Sequence, residues 1–301
     1  MRYLVTGDAG FIATHLVERL LNEGHAVIGI DKHQRPPMGD NHAPVQANIC
    51  DWEDLHLLWS RPGEHLPIDG CFHLAAESGI SRPWRETILS NILGTCHVGQ
   101  WCAEYDVPLV FTSSGATYSS ATTRTHGQLL SGQHWSMYGA SKLLGEQMLA
   151  APAMAVRLSN VYGPGGKKAV LGSWMQILAG GGGRLPIHGD GTQSRDFVYV
   201  DDVVDGLVAA MAHVMACSAD QWPRALPPID ICTGAQTTIC SLLGMLEDIL
   251  HRDLEPEYTG EASGAITPQT SPGAARATMG WSAKTDLATG LIKTLKHWGI
   301  S

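Results

Sequence analysis

The sequence predicts an α/β fold, a doubly wound parallel sheet with a smaller C-terminal substrate-binding region, and three observations predict it. A short apolar strand pattern, Arg2 to Thr6, passes through the turn Thr6-Gly7-Asp8-Ala9-Gly10-Phe11-Ile12-Ala13 into a helical pattern ending near Asn22. Extended and helical patterns then alternate as far as Leu158, which calls for parallel strands joined by crossover helices. Beyond Pro164 the glycines thicken, at 165, 166 and 180 to 183, and the alternation becomes irregular, which marks the smaller region.

The first unit explains itself residue by residue. Tyr3-Leu4-Val5 is apolar without alternation, as a strand buried on both faces must be. Gly7 allows a tight turn, Gly10 lets the backbone approach a pyrophosphate, and Ala13 stands in for a third glycine where helix and strand pack. Phe11 and Ile12 open the helix, whose unpaired N–H groups would face the phosphates. Asp8 is out of keeping there, because a carboxylate beside a pyrophosphate is unfavourable unless it points outward or caps the helix. The next strand, Ala26 to Ile30, ends in Asp31, near the offset at which an acid receives adenosine ribose hydroxyls and repels a 2′-phosphate. Lys32 and Arg35 follow it, and either could neutralise such a phosphate.

After a third extended segment, Asn48 and Ile49 are placed to edge an adenine, and Asp51 reads as the cap of a helix starting near Trp52. Cys71 to Ala76 reads as a strand; Leu74, Ala75 and Ala76 close it, and the small side chains let a cofactor pass. His73 reads as a packed strand residue. Arg85 to Tyr105 has the pattern of one long helix, carrying Asn91 and Gly94. Val107 to Thr112 is a buried strand, and Ser113-Ser114-Gly115-Ala116-Thr117-Tyr118 follows it into the crevice where open α/β sheets bind ligands.

Trp135 to Leu149 reads as a helix that stacks Tyr138 and Lys142 one turn apart. Making a phenol a base at neutral pH means lowering its pKa by roughly three units, about 4 kcal/mol. A positive charge at about 4 Å supplies roughly that much at an effective dielectric of about 20. The pair can therefore form a general base. Later come a strand at Ala155 to Leu158, a helix from Val203 to about Met215, a strand at Ile229 to Cys232 and a helix at Thr238 to His251. A terminal helix at Asp286 to Trp298 ends the chain.

Composition narrows the function classes. A chain of 301 residues with 44% hydrophobic content can bury a sizeable core. Its net charge is −9 with scattered Lys and Arg, so it shows no basic stripe for nucleic acid or an anionic membrane. Seven cysteines form no C-x-x-C pair, the usage of reduced thiols in a cytoplasmic protein. The fourteen histidines include no H-x-x-x-H spacing, and no metal is expected. No signal-peptide layout or membrane-length apolar run is present.

Taken together, TGDAGFIA, Asp31, HLAAES, SNILGT, FTSSGATY, YGASK, RLSNVYGPG, GDGTQSRDFVYVDDV and GWSAKTDLATGL resemble the extended short-chain dehydrogenase/reductases, specifically the NAD-dependent nucleotide-sugar epimerase/dehydratase family. The resemblance implies a Rossmann domain over 1–165, also receiving 197–232, with 166–196 and 233–301 as the substrate-binding region. It implies that Tyr138 takes a proton from a sugar hydroxyl, that Lys142 holds the nicotinamide ribose and lowers the Tyr138 pKa, and that Ser114 binds the reacting oxygen. NAD is the implied cofactor, with Asn91 and Thr112 among its contacts. Arg82, Asn160 and Arg195 are implied substrate contacts, and a homodimer through 85–105 and 136–150 is implied as well. The family's dehydratases carry Asp-Glu after the Ser/Thr, whereas Gly115 and Ala116 stand here. The simplest implied activity is a 4-epimerase acting on a UDP- or dTDP-sugar through a 4-keto sugar; a 4-ketoreductase, a dehydratase and a non-catalytic NAD-binding regulator are the alternatives. The family's diphosphate-binding Arg near the last helix has no clear counterpart, and Lys167, Lys168 or Arg276 could replace it.

Overall fold

The structure is a computed structural model describing residues 1–59, 67–78, 83–118, 136–149, 152–217, 225–260 and 270–301. Its first half runs β1 (Arg2–Thr6), α1 (Phe11–Asn22), β2 (Ala26–Asp31), β3 (His42–Gln46), α2 (Trp52–Trp59), β4 (Gly70–His73), α3 (Trp84–Ile88), α4 (Thr95–Glu104), β5 (Leu109–Ser114) and α5 (Met137–Gln147). The second half adds β6 (Ala153–Leu158), β7 (Asn160–Tyr162), α6 (Ala169–Ala179), β8 (Arg184–His188), β9 (Ser194–Arg195), β10 (Phe197–Tyr199) and α7 (Val200–Ala216). It ends with β11 (Leu226–Ile231), β12 (Thr237–Thr238), α8 (Ile239–Leu250), β13 (Glu255–Thr259), α9 (Gly273–Met279) and α10 (Leu287–His297).

Seven strands form one sheet in the order β11-β6-β5-β4-β1-β2-β3, and every neighbouring pair is parallel. The winding reverses between β1 and β4, which opens a crevice at their carboxyl ends. Along β1 the side chains alternate between two cores, as a strand period of two requires. Tyr3 and Val5 join Leu16, Val156 and Leu207 on one face, while Leu4 joins Ile30, Trp101 and Leu109 on the other. A third cluster, with Trp174, Leu185, Phe197, Leu242 and Leu291, lies among the later elements.

The expected long helix over 85–105 is present without a break from Trp84 to Glu104, but its middle is not α-helical. A π-helical segment, Leu89–Gly94, separates α3 from α4 and contains Asn91. Gly94 fits there because any Cβ would fall 2.6 Å from Ile49 Cδ1. A π turn offsets the helix faces by only about one position, too small a change for the apolar pattern of one helix to reveal. The α6 helix and the β8–β13 pair were not anticipated; the pair joins segments far apart in the sequence, and neither shows its partner alone.

Candidate active site

A cleft of about 830 Å³ opens at the carboxyl ends of the sheet strands, toward the upper end of the roughly 300–1,000 Å³ usual for ligand pockets. Gly7, Gly10, Phe11, Ile12, Asp31, Lys32, Asn48, Ile49, Leu74, Ala75, Ala76 and Thr112 all line it, as do Ser114, Tyr138, Lys142 and Asn160. Arg195 does not line it; its guanidinium is half-buried on β9, where Nη1 donates to the Ser194 carbonyl at 2.7 Å. Arg82 lies outside the described residues.

The dinucleotide expectation passes a geometric test at Gly7. Its φ is +75°, and a Cβ there would stand 2.7 Å from the Ala75 nitrogen, so only glycine permits this turn against β4. Gly10 caps α1 without a side-chain hydrogen bond, leaving the first N–H groups of the helix open to an anion. Asp31 closes the turn, accepting from Ala9 N at 3.1 Å and from His33 N at 2.9 Å. These residues fit a dinucleotide: the start of α1 would hold its pyrophosphate and Asp31 its adenosine ribose.

Two expectations on this wall are corrected. Asp8 neither points outward nor caps the helix: it is 1% exposed and turns inward beneath Gly29, toward His42 and Arg35. Asn91 does not reach the cleft. Its amide donates to the Glu77 carbonyl and to Ser141 Oγ, both at 3.0 Å, and its carbonyl accepts from Glu77 N at 2.7 Å, so it braces the wall against α5. His73 is packed between the Thr6 and Thr95 hydroxyls at 2.6 and 3.0 Å, and burial brings its pKa down to about 3.

Across the cleft, α5 begins at Ser136, whose hydroxyl accepts from Gly139 N, and carries Tyr138 and Lys142. Gly139 is required because a Cβ would meet the Ala116 carbonyl oxygen at 2.2 Å. That contact holds α5 against the turn after β5 and brings Tyr138 into hydrogen-bonding reach of Ser114. Burial raises the Tyr138 pKa, and the Ser114 hydrogen bond works against it. This departs from the arithmetic above, in which Lys142 alone brings the phenol down. The ammonium donates to the Thr112 carbonyl at 2.8 Å and stands 4.7 Å over the Phe111 ring, and burial lowers its own pKa to about 7, with Glu146 opposing. In this arrangement Ser114 is the group that favours the phenolate.

Glu146, a further turn along α5, was missed, although the step of four from Tyr138 to Lys142 to Glu146 signals it. It takes two hydrogen bonds from the Arg157 guanidinium, at 2.8 and 2.6 Å, and one from Ser113 Oγ. Arg157 packs under the Tyr118 ring at 4.8 Å, and the Tyr118 hydroxyl donates to Asp230 at 2.6 Å. This buried network ties the ends of β5, β6 and β11 to α5. Lys167 and Lys168 do line the cleft, and Lys168 Nζ donates to Ser78 Oγ at 2.8 Å. Arg276, exposed on α9, does not line it.

Comparison with known proteins identifies the family and agrees with the fold. Residues 3–220 match the NAD dependent epimerase/dehydratase family. The chain is 30% identical over 325 aligned positions to the UDP-glucose 4-epimerase of Mycolicibacterium smegmatis, covering 99% of this chain and 98% of that one. In structure it is similar to the UDP-glucose 4-epimerase of Thermotoga maritima solved with UDP-glucose, at a TM-score of 0.83, 27% identity and 99% coverage of both chains. It is also similar to the UDP-glucuronic acid 4-epimerase of Bacillus cereus solved with UDP-glucuronic acid and NAD, at a TM-score of 0.82, 25% identity and 99% coverage of both.

Proposed function

The chain belongs to the NAD-dependent epimerase/dehydratase family, and from that premise we propose that it is a nucleotide-sugar 4-epimerase, working on a UDP- or dTDP-linked sugar through a 4-keto sugar. One observation carries the reading: Ser114, Tyr138 and Lys142 meet in the cleft while Gly115 and Ala116, next to them, bring no carboxylate. Eliminating water needs a further acid and base, whereas inverting C4 needs only a proton and a hydride removed and returned.

NAD, when bound, supplies the hydride acceptor and donor. Gly7, Gly10 and the start of α1 would hold its pyrophosphate, Asp31 its adenosine ribose, and Lys142 its nicotinamide ribose. The Tyr138 phenolate takes the proton from the C4 hydroxyl, and Ser114 hydrogen-bonds the oxygen that becomes the carbonyl. After the sugar turns over, Tyr138 returns the proton to the oxygen on the other face. Lys142 serves twice, as a ribose ligand and as a cation that favours the phenolate once drawn toward it. Asn160, which lines the cleft, is assigned to the substrate diphosphate, with 166–196 and 233–301 as the region that covers the sugar.

We assign the assembly as a cytoplasmic homodimer. Trp84, Ile88, Leu89 and Leu93 on the α3 and π-helical segment and Leu144 on α5 are exposed apolar side chains on helices that pack together, and a second copy would cover them. All seven cysteines are free thiols.

The test is incubation of the purified chain with UDP-, dTDP-, GDP- and ADP-sugars, with products resolved by NMR. Inversion at C4 of one of them without added dinucleotide supports the reading. Turnover only of a keto-sugar, driven by added NADPH, replaces it with a 4-ketoreductase.

A further inference from the structure

The first glycine turn contains a carboxylate that the cofactor chemistry does not explain. Asp8 is 1% exposed, and its side chain passes under β2, where a Cβ at Gly29 would stand 2.3 Å from Asp8 Cγ. His42 Nε2 lies 3.3 Å from Asp8 Oδ1 without the alignment of a hydrogen bond. His42 Nδ1 accepts from Met38 N at 3.0 Å, so a neutral His42 carries its proton on Nε2, the side facing Asp8. The remaining neighbour is a permanent cation: Arg35 Nη1 is 3.5 Å from Asp8 Oδ1, donates to the Asp8 carbonyl at 2.8 Å and reaches Thr14 Oγ1 at 3.4 Å. Burying an ion is costly unless it is paired, and Arg35 is the pair.

Arg35 follows β2 closely, where a cation would otherwise serve a phosphate on the adenosine ribose. Its guanidinium is drawn onto the Asp8–Ala9 turn, the same turn whose Ala9 N is held by Asp31. The other permanent cation after β2, Lys32, is paired with Glu77. Both positive charges close to Asp31 are therefore already answered by carboxylates.

We propose that Asp8 is a specificity residue for the dinucleotide: by holding Arg35 on the glycine turn it denies the chain the cation a 2′-phosphate requires, and so reinforces the preference for a free 2′-hydroxyl that Asp31 sets. The inference rests on the reading that the cleft holds NAD. It differs from the Asp31 effect in kind, because Asp31 repels the phosphate while Asp8 withdraws its ligand.

The experiment equilibrates the full-length chain with equal concentrations of NAD⁺ and NADP⁺, removes unbound dinucleotide and measures the two bound species by mass spectrometry after denaturation. Asp8→Asn is expected to raise the bound NADP⁺ to NAD⁺ ratio roughly tenfold, the worth of one charge-assisted hydrogen bond. Arg35→Met in that background is expected to return the ratio to the wild-type value, whereas Arg35→Met alone leaves it within about twofold. Asp8→Ser provides the same comparison with a smaller neutral side chain should Asp8→Asn not fold, as judged by circular dichroism. A ratio unmoved by Asp8→Asn or Asp8→Ser, or a gain that survives loss of Arg35, overturns the proposal while the cofactor reading stands. Wild-type chain that binds neither dinucleotide overturns both.

Discussion

On the wall formed by the ends of β1, β2 and β4, polar groups are answered within the chain: Asn91 by Glu77 and Ser141, His73 by Thr6 and Thr95, Asp31 by two backbone N–H groups. On the facing wall, where α6 begins, Lys167 and Lys168 are exposed, α6 has no side-chain cap, and Ala169 sits at φ +58°, a left-handed conformation rare for a non-glycine residue. The first wall is set by backbone and by pairings already made, so it can meet one ligand in one pose. The second offers exposed cations on long stems, Lys168 resting on Ser78, and such side chains can follow an anion. A constant cofactor and a variable substrate are suited to these two kinds of wall.

The largest effects should come where the walls meet. Tyr138→Phe is expected to lower kcat by roughly 10²–10⁴-fold, the range for loss of a general acid–base group, while the chain keeps its bound dinucleotide. Measuring turnover and NAD content on the same preparation checks this, and loss of both together would mean that Tyr138 belongs to the cofactor wall. Gly7→Ala tests that wall directly. The new methyl group would meet backbone at 2.7 Å in a residue with φ +75°; strain of about 1–3 kcal/mol should appear in urea unfolding. NAD retained per chain should fall with it. A variant that unfolds like wild type and keeps its NAD would show that the turn is not closely fitted.

How far the sequence revealed these walls follows the same division. The cofactor wall was legible because glycine at a positive φ and an acid at a strand end are requirements on single positions, and Gly7 and Asp31 stand where expected. Its side-chain directions were not legible: strand and turn patterns do not say that Asp8 turns beneath Gly29, nor that Asn91 is taken up by Glu77 and Ser141. On the substrate wall, the search for a missing Arg left three candidates, and only the fold brings Lys167 and Lys168 to the cleft while placing Arg276 on an exposed helix elsewhere. The step of four along α5 points to Glu146 but not to its role, because its partner Arg157 lies on the next strand, a contact that exists only once β6 pairs with β5.

The pre-paired wall should also be sensitive to acid. His73 is fully buried, and its pKa in the folded chain is about 3 against an ordinary value of 6.5. The unfolded chain therefore binds a proton below about pH 6.5 that the folded chain refuses. Stability is full above that pH and falls as the pH drops toward 3, by up to about 1.4 kcal/mol per pH unit. Urea midpoints measured from pH 7.5 to pH 4.5 should show this slope, and His73→Gln should flatten it. An unchanged slope in the variant would assign the acid sensitivity to other groups.

The smallest effect belongs to the exposed cations, and it separates the two walls most clearly. Lys168 stands at the cleft edge in water, so its attraction for a diphosphate is screened and worth about 1 kcal/mol or less. Lys168→Ala should therefore raise KM for the nucleotide sugar about two- to fivefold and leave kcat alone, because an interaction made equally in the ground and transition states changes only binding. The difference from wild type should shrink as salt rises and the Debye length falls from about 10 Å at 0.1 M toward about 3 Å at 1 M. NAD content should not move if, as proposed, backbone groups and Asp31 across the cleft hold the cofactor. If kcat falls instead, or if the effect persists in high salt, Lys168 is fixing the sugar's pose through its bond to Ser78, and the substrate wall is as pre-paired as the wall it faces.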